Sequence, residues 1–146
     1  MKFFTTLLCL FAMTSSMSVF AAEVSISDAD ITGGNDYYWT NDNIYVLEDL
    51  VFVEDGARLF IEEGTIIWGK EGQEDNAKAL VICRGAQIFA EGTPDRPIVF
   101  TAYGDDPYDL DDGFELTESG LWGGLIILGY GPNNNDASDG VKNIEG

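Results

Sequence analysis

The chain has 146 residues, with 26 Asp or Glu against 7 Lys or Arg, a formal charge of −19 and no histidine. Nucleic acid and anionic lipid are excluded as partners, because phosphate contacts need clustered Lys and Arg. Imidazole acid–base catalysis, His-containing triads and imidazole metal ligands are excluded within these residues, and an apolar content of 45% excludes disorder as the reason for the charge.

Residues 1–22 carry a single cation, Lys2, an apolar stretch from Phe3 to Met13, and then TSSMSVFAAE. Val19-Phe20-Ala21 meets the pattern a signal peptidase reads, so a signal peptide cleaved near Ala21 or Ala22 is expected. The apolar run is short for a membrane span and is broken by Thr5 and Thr6, so no transmembrane span is expected in the mature chain. A lipoprotein reading on Cys9 fares worse, because Leu8 stands where a small residue is expected. Cleavage leaves six basic residues and a charge of −20, with Cys83 as the only thiol and no intrachain disulfide possible. In the apolar string ALVICRG, Cys83 is expected to be a buried structural cysteine rather than a nucleophile.

Residues 23–50 are expected to form an N-terminal cap and the first strands, with YYWTNDNIYVLEDL supplying the first coil and Trp39 covering the open end of the core. From residue 51 an internal repeat begins. GARLFIEEGTII, Gly56 to Ile67, is echoed 29 residues later by GAQIFAEGT, Gly85 to Thr93, and Val51-Phe52-Val53 likewise matches Leu80-Val81-Ile82. Ile66-Ile67 and Ile98-Val99-Phe100 close the two units, each of which holds three short strand-like pieces between Gly, Asp and Pro turn signals.

The middle piece alternates with period two. Ala57, Leu59 and Ile61 fall on one face against Arg58, Phe60 and Glu62, and the second copy sets Ala86, Ile88 and Ala90 against Gln87, Phe89 and Glu91. A one-residue slip would bury Arg58 and Glu62, so the register is specified. Three strands recurring in the same order describe an all-β parallel solenoid of about three coils, and a β-sandwich, the alternative, does not explain the recurrence. Gly56 and Gly85 are expected at corners with positive φ, with Thr65 and Thr93 opening the next face. LWGGLIILG, Leu121 to Gly129, is expected as a buried strand of a third unit. The chain reaches VKNIEG soon after, without an evident cap, so a protein continuing beyond residue 146 is expected.

YYWTNDNIYVLEDLVFVEDGARLFIEEGTIIWG, ALVICRGAQIFAEGTPDRPIVFTA and LWGGLIILG together resemble a widespread family of secreted bacterial right-handed β-helix proteins. The match covers most of Tyr37 to Gly129, and its components are structural. The resemblance implies a right-handed parallel β-helix and export, to the medium or the outer cell surface of a bacterium, and leaves activity open.

Two features carry the functional expectations. The insertion at 102–120 holds Asp105, Asp106, Asp109, Asp111, Asp112, Glu115 and Glu118 without one Lys or Arg. A solvated acidic loop is the first reading, and a calcium site on Asp105, Asp106, Asp109, Asp111 and Asp112 the second, although Gly113 rules out EF-hand spacing. Phe60 and Phe89 are expected to stack on the outer face; the first reading has them covered by a flanking loop such as 68–78 or the acidic insertion, the second presented to a polysaccharide or a cell-surface partner. Trp68 and Trp122 read as core or cap residues. Adhesion or glycan binding without catalysis is the leading expectation. The alternative is the N-terminal part of a polysaccharide lyase or glycoside hydrolase whose active site lies beyond residue 146. Of the pectin hydrolase pattern (N-T-D, D-D, G-H-G, R-I-K) only acid pairs such as Asp111-Asp112 are present, and the Lys or Arg bases of lyases are few and scattered.

Overall fold

The alternating pattern becomes ten short strands among the described residues, which in this computed structural model are 21–109, 111–114 and 118–131. They are β1 (Ala22–Ile26), β2 (Asp36–Trp39), β3 (Asn43–Leu47), β4 (Leu50–Val53), β5 (Arg58–Ile61), β6 (Ile66–Gly69), β7 (Ala79–Ile82), β8 (Gln87–Ala90), β9 (Val99–Ala102) and β10 (Gly124–Ile127). Residues 1–20, where the signal peptide is expected, and Glu115 and VKNIEG lie outside the described residues.

Every strand pair is parallel. Sheet A holds β1-β3-β6-β9, sheet B β2-β5-β8 and sheet C β4-β7-β10. The chain visits A, C and B in turn, so each coil lays one strand on each sheet, and parallel crossovers of this kind are right-handed. The architecture is a right-handed parallel β-helix of three turns with a fourth begun by β9 and β10; the antiparallel pairing of a sandwich is absent from the described residues. In the first turn a 3-10 segment, Asp28–Asp30, takes the place of a sheet C strand. The Asp28 carboxylate accepts the Phe52 amide at 3.1 Å, which satisfies a donor on the edge of β4.

The register is the one the echo implies, with Val51 on Leu80, Val53 on Ile82 and Leu59 on Ile88. Val51, Val53, Leu59, Ile67 and Leu80 are fully buried in the bore, and each such side chain contributes about 1.5–3 kcal/mol over exposure. Trp39 closes the N-terminal end from within the first coil, stacked on Tyr45 with ring centroids 4.7 Å apart. At the other end Trp122 packs against the core, lying over Gly69 where a Cβ would overlap the indole. Thr65 is fully buried at the corner before β6, and its hydroxyl donates to the Glu62 carbonyl at 2.7 Å.

The repeat differs from the expectation in period. Asp36 pairs with Arg58 and Ile44 with Ile66, both 22 residues on. Only where the Lys70–Lys78 loop intervenes does the step become 29, as from Val51 to Leu80. Thr93 does not open the next face: it exchanges backbone hydrogen bonds with Arg96 in a tight turn, and β9 starts at Val99. Ala90 points inward in register but is exposed, and Leu125 and Ile127 of the expected buried strand are 36% and 62% exposed. The reason is common to both: β8 and β10 are edge strands with no described coil stacked beyond them.

The scarce cations tie coil to coil. Arg58 meets Asp36 at 2.5 Å, Lys70 meets Glu48 at 2.8 Å, Lys78 meets Asp49 at 3.7 Å and Arg96 meets Glu63 at 2.7 Å, each pair spanning neighbouring turns. The Glu48 carboxyl is held below its ordinary pKa by the Lys70 ammonium first and by the Ser25 hydroxyl. A depressed folded-state pKa contributes stability above the unfolded value of about 4.3, and the contribution is lost as pH falls through the folded value.

Two predictions follow from this packing. Gly85→Ala is expected to lower the unfolding free energy by about 1–2 kcal/mol in urea titration, because φ there is +86° and an added Cβ would overlap the Asp55 carboxylate; Gly129→Ala, with its nearest neighbour 3.9 Å away, serves as the neutral control. Glu48→Gln is expected to melt below the wild type at neutral pH, with the difference closing as pH drops below the carboxylate range. A gap that persists at acid pH would mean that the carboxylate charge is not its source.

Candidate functional site

Outward positions of sheet B form three rows across the coils. Asp36, Arg58 and Gln87 make the first, Tyr38, Phe60 and Phe89 the second, and Thr40, Glu62 and Glu91 follow one step beyond the strands. Parallel register brings the rings together: Phe60 and Phe89 have centroids 4.7 Å apart at 7° between planes, and Tyr38 and Phe60 5.0 Å at 9°. The expected Phe60–Phe89 pair is therefore a stack of three. Tyr38 escaped the sequence reading because it stands 22 residues before Phe60, outside the 29-residue echo.

Among the described residues neither the 68–78 loop nor the acidic insertion covers the stack, contrary to the first expectation. Tyr38 is 65% and Phe89 40% exposed, because the loop leaves from the end of β6 in sheet A and runs to sheet C, away from sheet B. Since the rings face one another, Phe60 presents only its edge to solvent. Among the described residues, the ring faces left open are those of Tyr38 and Phe89 on the two edge strands. Aromatic edges carry partial positive charge and faces partial negative charge, so the stack offers both kinds of contact.

Beside the rings runs an open groove of about 510 Å³, lined by Tyr38, Phe60 and Phe89 together with Glu62, Glu63 and Glu91. Arg58 is held to Asp36 through Nε at 2.7 Å as well as by the ion pair, and its guanidinium lies 5.7 Å from the Phe60 centroid. Arg96 fastens Glu63, and Glu62 accepts the Asn41 amide at 3.2 Å.

The acidic insertion builds a second concavity of about 430 Å³, lined by Asp105, Asp106, Asp109, Asp112 and Glu118 among others. Its carboxylates turn largely to their own backbone. Asp112 accepts the amides of Asp106 (2.7 Å) and Phe114 (3.1 Å), Asp106 that of Tyr108 and Asp109 that of Asp111, each at 3.0 Å. These amides, Phe114 first, hold the Asp112 carboxyl below its ordinary pKa. Asp105 takes the Thr101 hydroxyl. Among the described residues no three acids converge as a metal set.

Two further expectations are revised. Trp68 is neither core nor cap: it lies on the outer face of sheet A, where its indole N–H donates to the Asp105 carbonyl at 2.9 Å and its ring meets Tyr103 edge-on, anchoring the insertion. Cys83 is half-buried rather than buried, and burial pushes its thiol pKa up, with Glu54 and Asp28 adding to the effect, so the thiol stays protonated at neutral pH.

A family model described as a pectate-lyase-like β-helix domain matches residues 30–145. The match spans most of the chain, which belongs to that family. No curated protein and no solved structure matches it.

Chelation tests the acidic cleft. With its carboxylates committed to backbone amides as described, the melting temperature is expected to be unchanged by chelator, and a fall of several degrees would show that calcium draws Asp105, Asp106, Asp109, Asp111 and Asp112 together.

Proposed function

We propose that this member of the pectate-lyase-like β-helix family works outside the cell as a non-catalytic glycan-binding protein, holding a polysaccharide against the outer face of sheet B. The observation that carries the reading is the exposed Tyr38–Phe60–Phe89 stack beside a groove rimmed by carboxylates. A sugar ring has an apolar C–H face and a rim of hydroxyls. Laid on a free aromatic face it buries the first, while carboxylates such as Glu62 and Glu91 accept from the second.

Export is supported by the signal-like pattern of residues 1–22 and fits a family of this description. Among the described residues no helix is long and apolar enough to cross a membrane. The non-catalytic reading is supported by the state of the bases among the described residues: Arg58, Lys70, Lys78 and Arg96 are each paired to an acid of the neighbouring coil, and Arg84 lies over Tyr130.

Affinity electrophoresis against a panel of soluble polysaccharides tests the reading. Tyr38→Ala and Phe89→Ala, both at exposed edge positions, are each expected to weaken binding about three- to tenfold, while Tyr108→Ala on the insertion leaves it unchanged. Retention that ignores both edge substitutions would refute the site. Release of unsaturated or new reducing ends would refute the absence of catalysis and favour a lyase or hydrolase.

A further inference from the structure

We infer that the groove on sheet B selects a glycan bearing free amino groups, of the chemistry of a glucosamine polymer, over neutral and uronate glycans; the inference rests on the glycan-binding reading above. The groove brings Glu62, Glu63 and Glu91 to the rim of the ring stack. The two cations nearest to it are already committed, Arg58 to Asp36 and Arg96 to Glu63. Glu62 and Glu91 each follow by one residue the paired Ile61 and Ala90 of neighbouring coils; Glu62 accepts the Asn41 amide, and among the described residues neither has an ion pair. Rungs lie about 4.8 Å apart, a separation that one ammonium group can bridge between two carboxylates.

The rings act in the same direction. A cation is attracted to an aromatic face, and the free faces of Tyr38 and Phe89 lie at the two ends of the groove's ring wall. The guanidinium of Arg58, 5.7 Å from the Phe60 centroid, already uses this attraction within the protein. The formal charge of −19 extends the preference to long range, drawing in a polycation and repelling a uronate polymer. A linear polymer fits better than a compact ion because the site itself repeats, rung after rung, along the helix axis.

Calorimetric titration of the full chain with oligomers of glucosamine, N-acetylglucosamine and galacturonate, and with oligolysine, tests the inference. The glucosamine oligomer is expected to bind roughly tenfold more tightly than its N-acetylated counterpart, the advantage shrinking as salt rises. Glu62→Gln/Glu91→Gln should remove that advantage, whereas Glu71→Gln/Asp75→Asn, which deletes the same charge from the loop after β6, should keep it. Tyr38→Ala leaves the net charge alone and should still weaken glucosamine binding. The inference is overturned if galacturonate binds as well as glucosamine, if oligolysine matches it with the same dependence on Tyr38, or if the loop variant loses as much as the groove variant. Equal binding of charged and neutral sugars with dependence on Tyr38 would sink the charge selection and spare the glycan site. No binding of any oligosaccharide would sink the glycan-binding reading itself.

Discussion

Parallel register between successive coils is the constraint on which the rest of this molecule depends. A solenoid strand finds its backbone partners only in the coil before and the coil after it, so each residue is set beside its equivalent at a rung spacing of about 4.8 Å. Inside, that rule makes aliphatic ladders such as Val51 on Leu80 and Val53 on Ile82. At the corner it lines up Gly34, Gly56 and Gly85, all with positive φ. Outside, it makes the ring stack of Tyr38, Phe60 and Phe89 and the ion pairs between Arg58 and Asp36 and between Lys70 and Glu48. Core, corner and candidate site are three readings of the same register.

The register also explains how a chain with so few cations stays stacked. Like charges on adjacent rungs repel, and a coil-by-coil repeat of acids would force that repulsion on every turn. Here a cation stands on the next rung at the outer row of sheet B and at the sheet corners, while other carboxylates cap backbone amides: Asp28 takes Phe52, Glu54 takes Gly33 at 2.9 Å and Glu62 takes Asn41. The insertion and the groove on sheet B hold further acids that follow the same pattern, Asp112 taking the Asp106 and Phe114 amides and Glu63 pairing with Arg96.

Much of this can be read from residues alone, because period two and the Gly-Ala corners repeat in near-identical strings. GARLFIEEGT and GAQIFAEGT reveal strands, faces and register, including Phe60 above Phe89. The first turn is hidden because its ladder partners change chemistry: DYYW lies on RLFI, and aromatic residues there replace the aliphatics that would have flagged a 22-residue repeat. Tyr38 was lost with it. Edge exposure is equally invisible, since Ala90, Leu125 and Ile127 have inward-facing sequence signatures and are exposed because no described coil stacks on β8 or β10. In the insertion, composition alone suggests a cation site, whereas the direction of each carboxylate depends on turns that no spacing rule specifies.

The measurement that bears most directly on this account is aromatic-edited NOE spectroscopy of the protein. The register requires contacts between the ring protons of Tyr38 and Phe60 and between those of Phe60 and Phe89, with none between Tyr38 and Phe89. Absence of the Phe60–Phe89 contact, or direct contact between Tyr38 and Phe89, would contradict the stacking on which the fold and the site both rest.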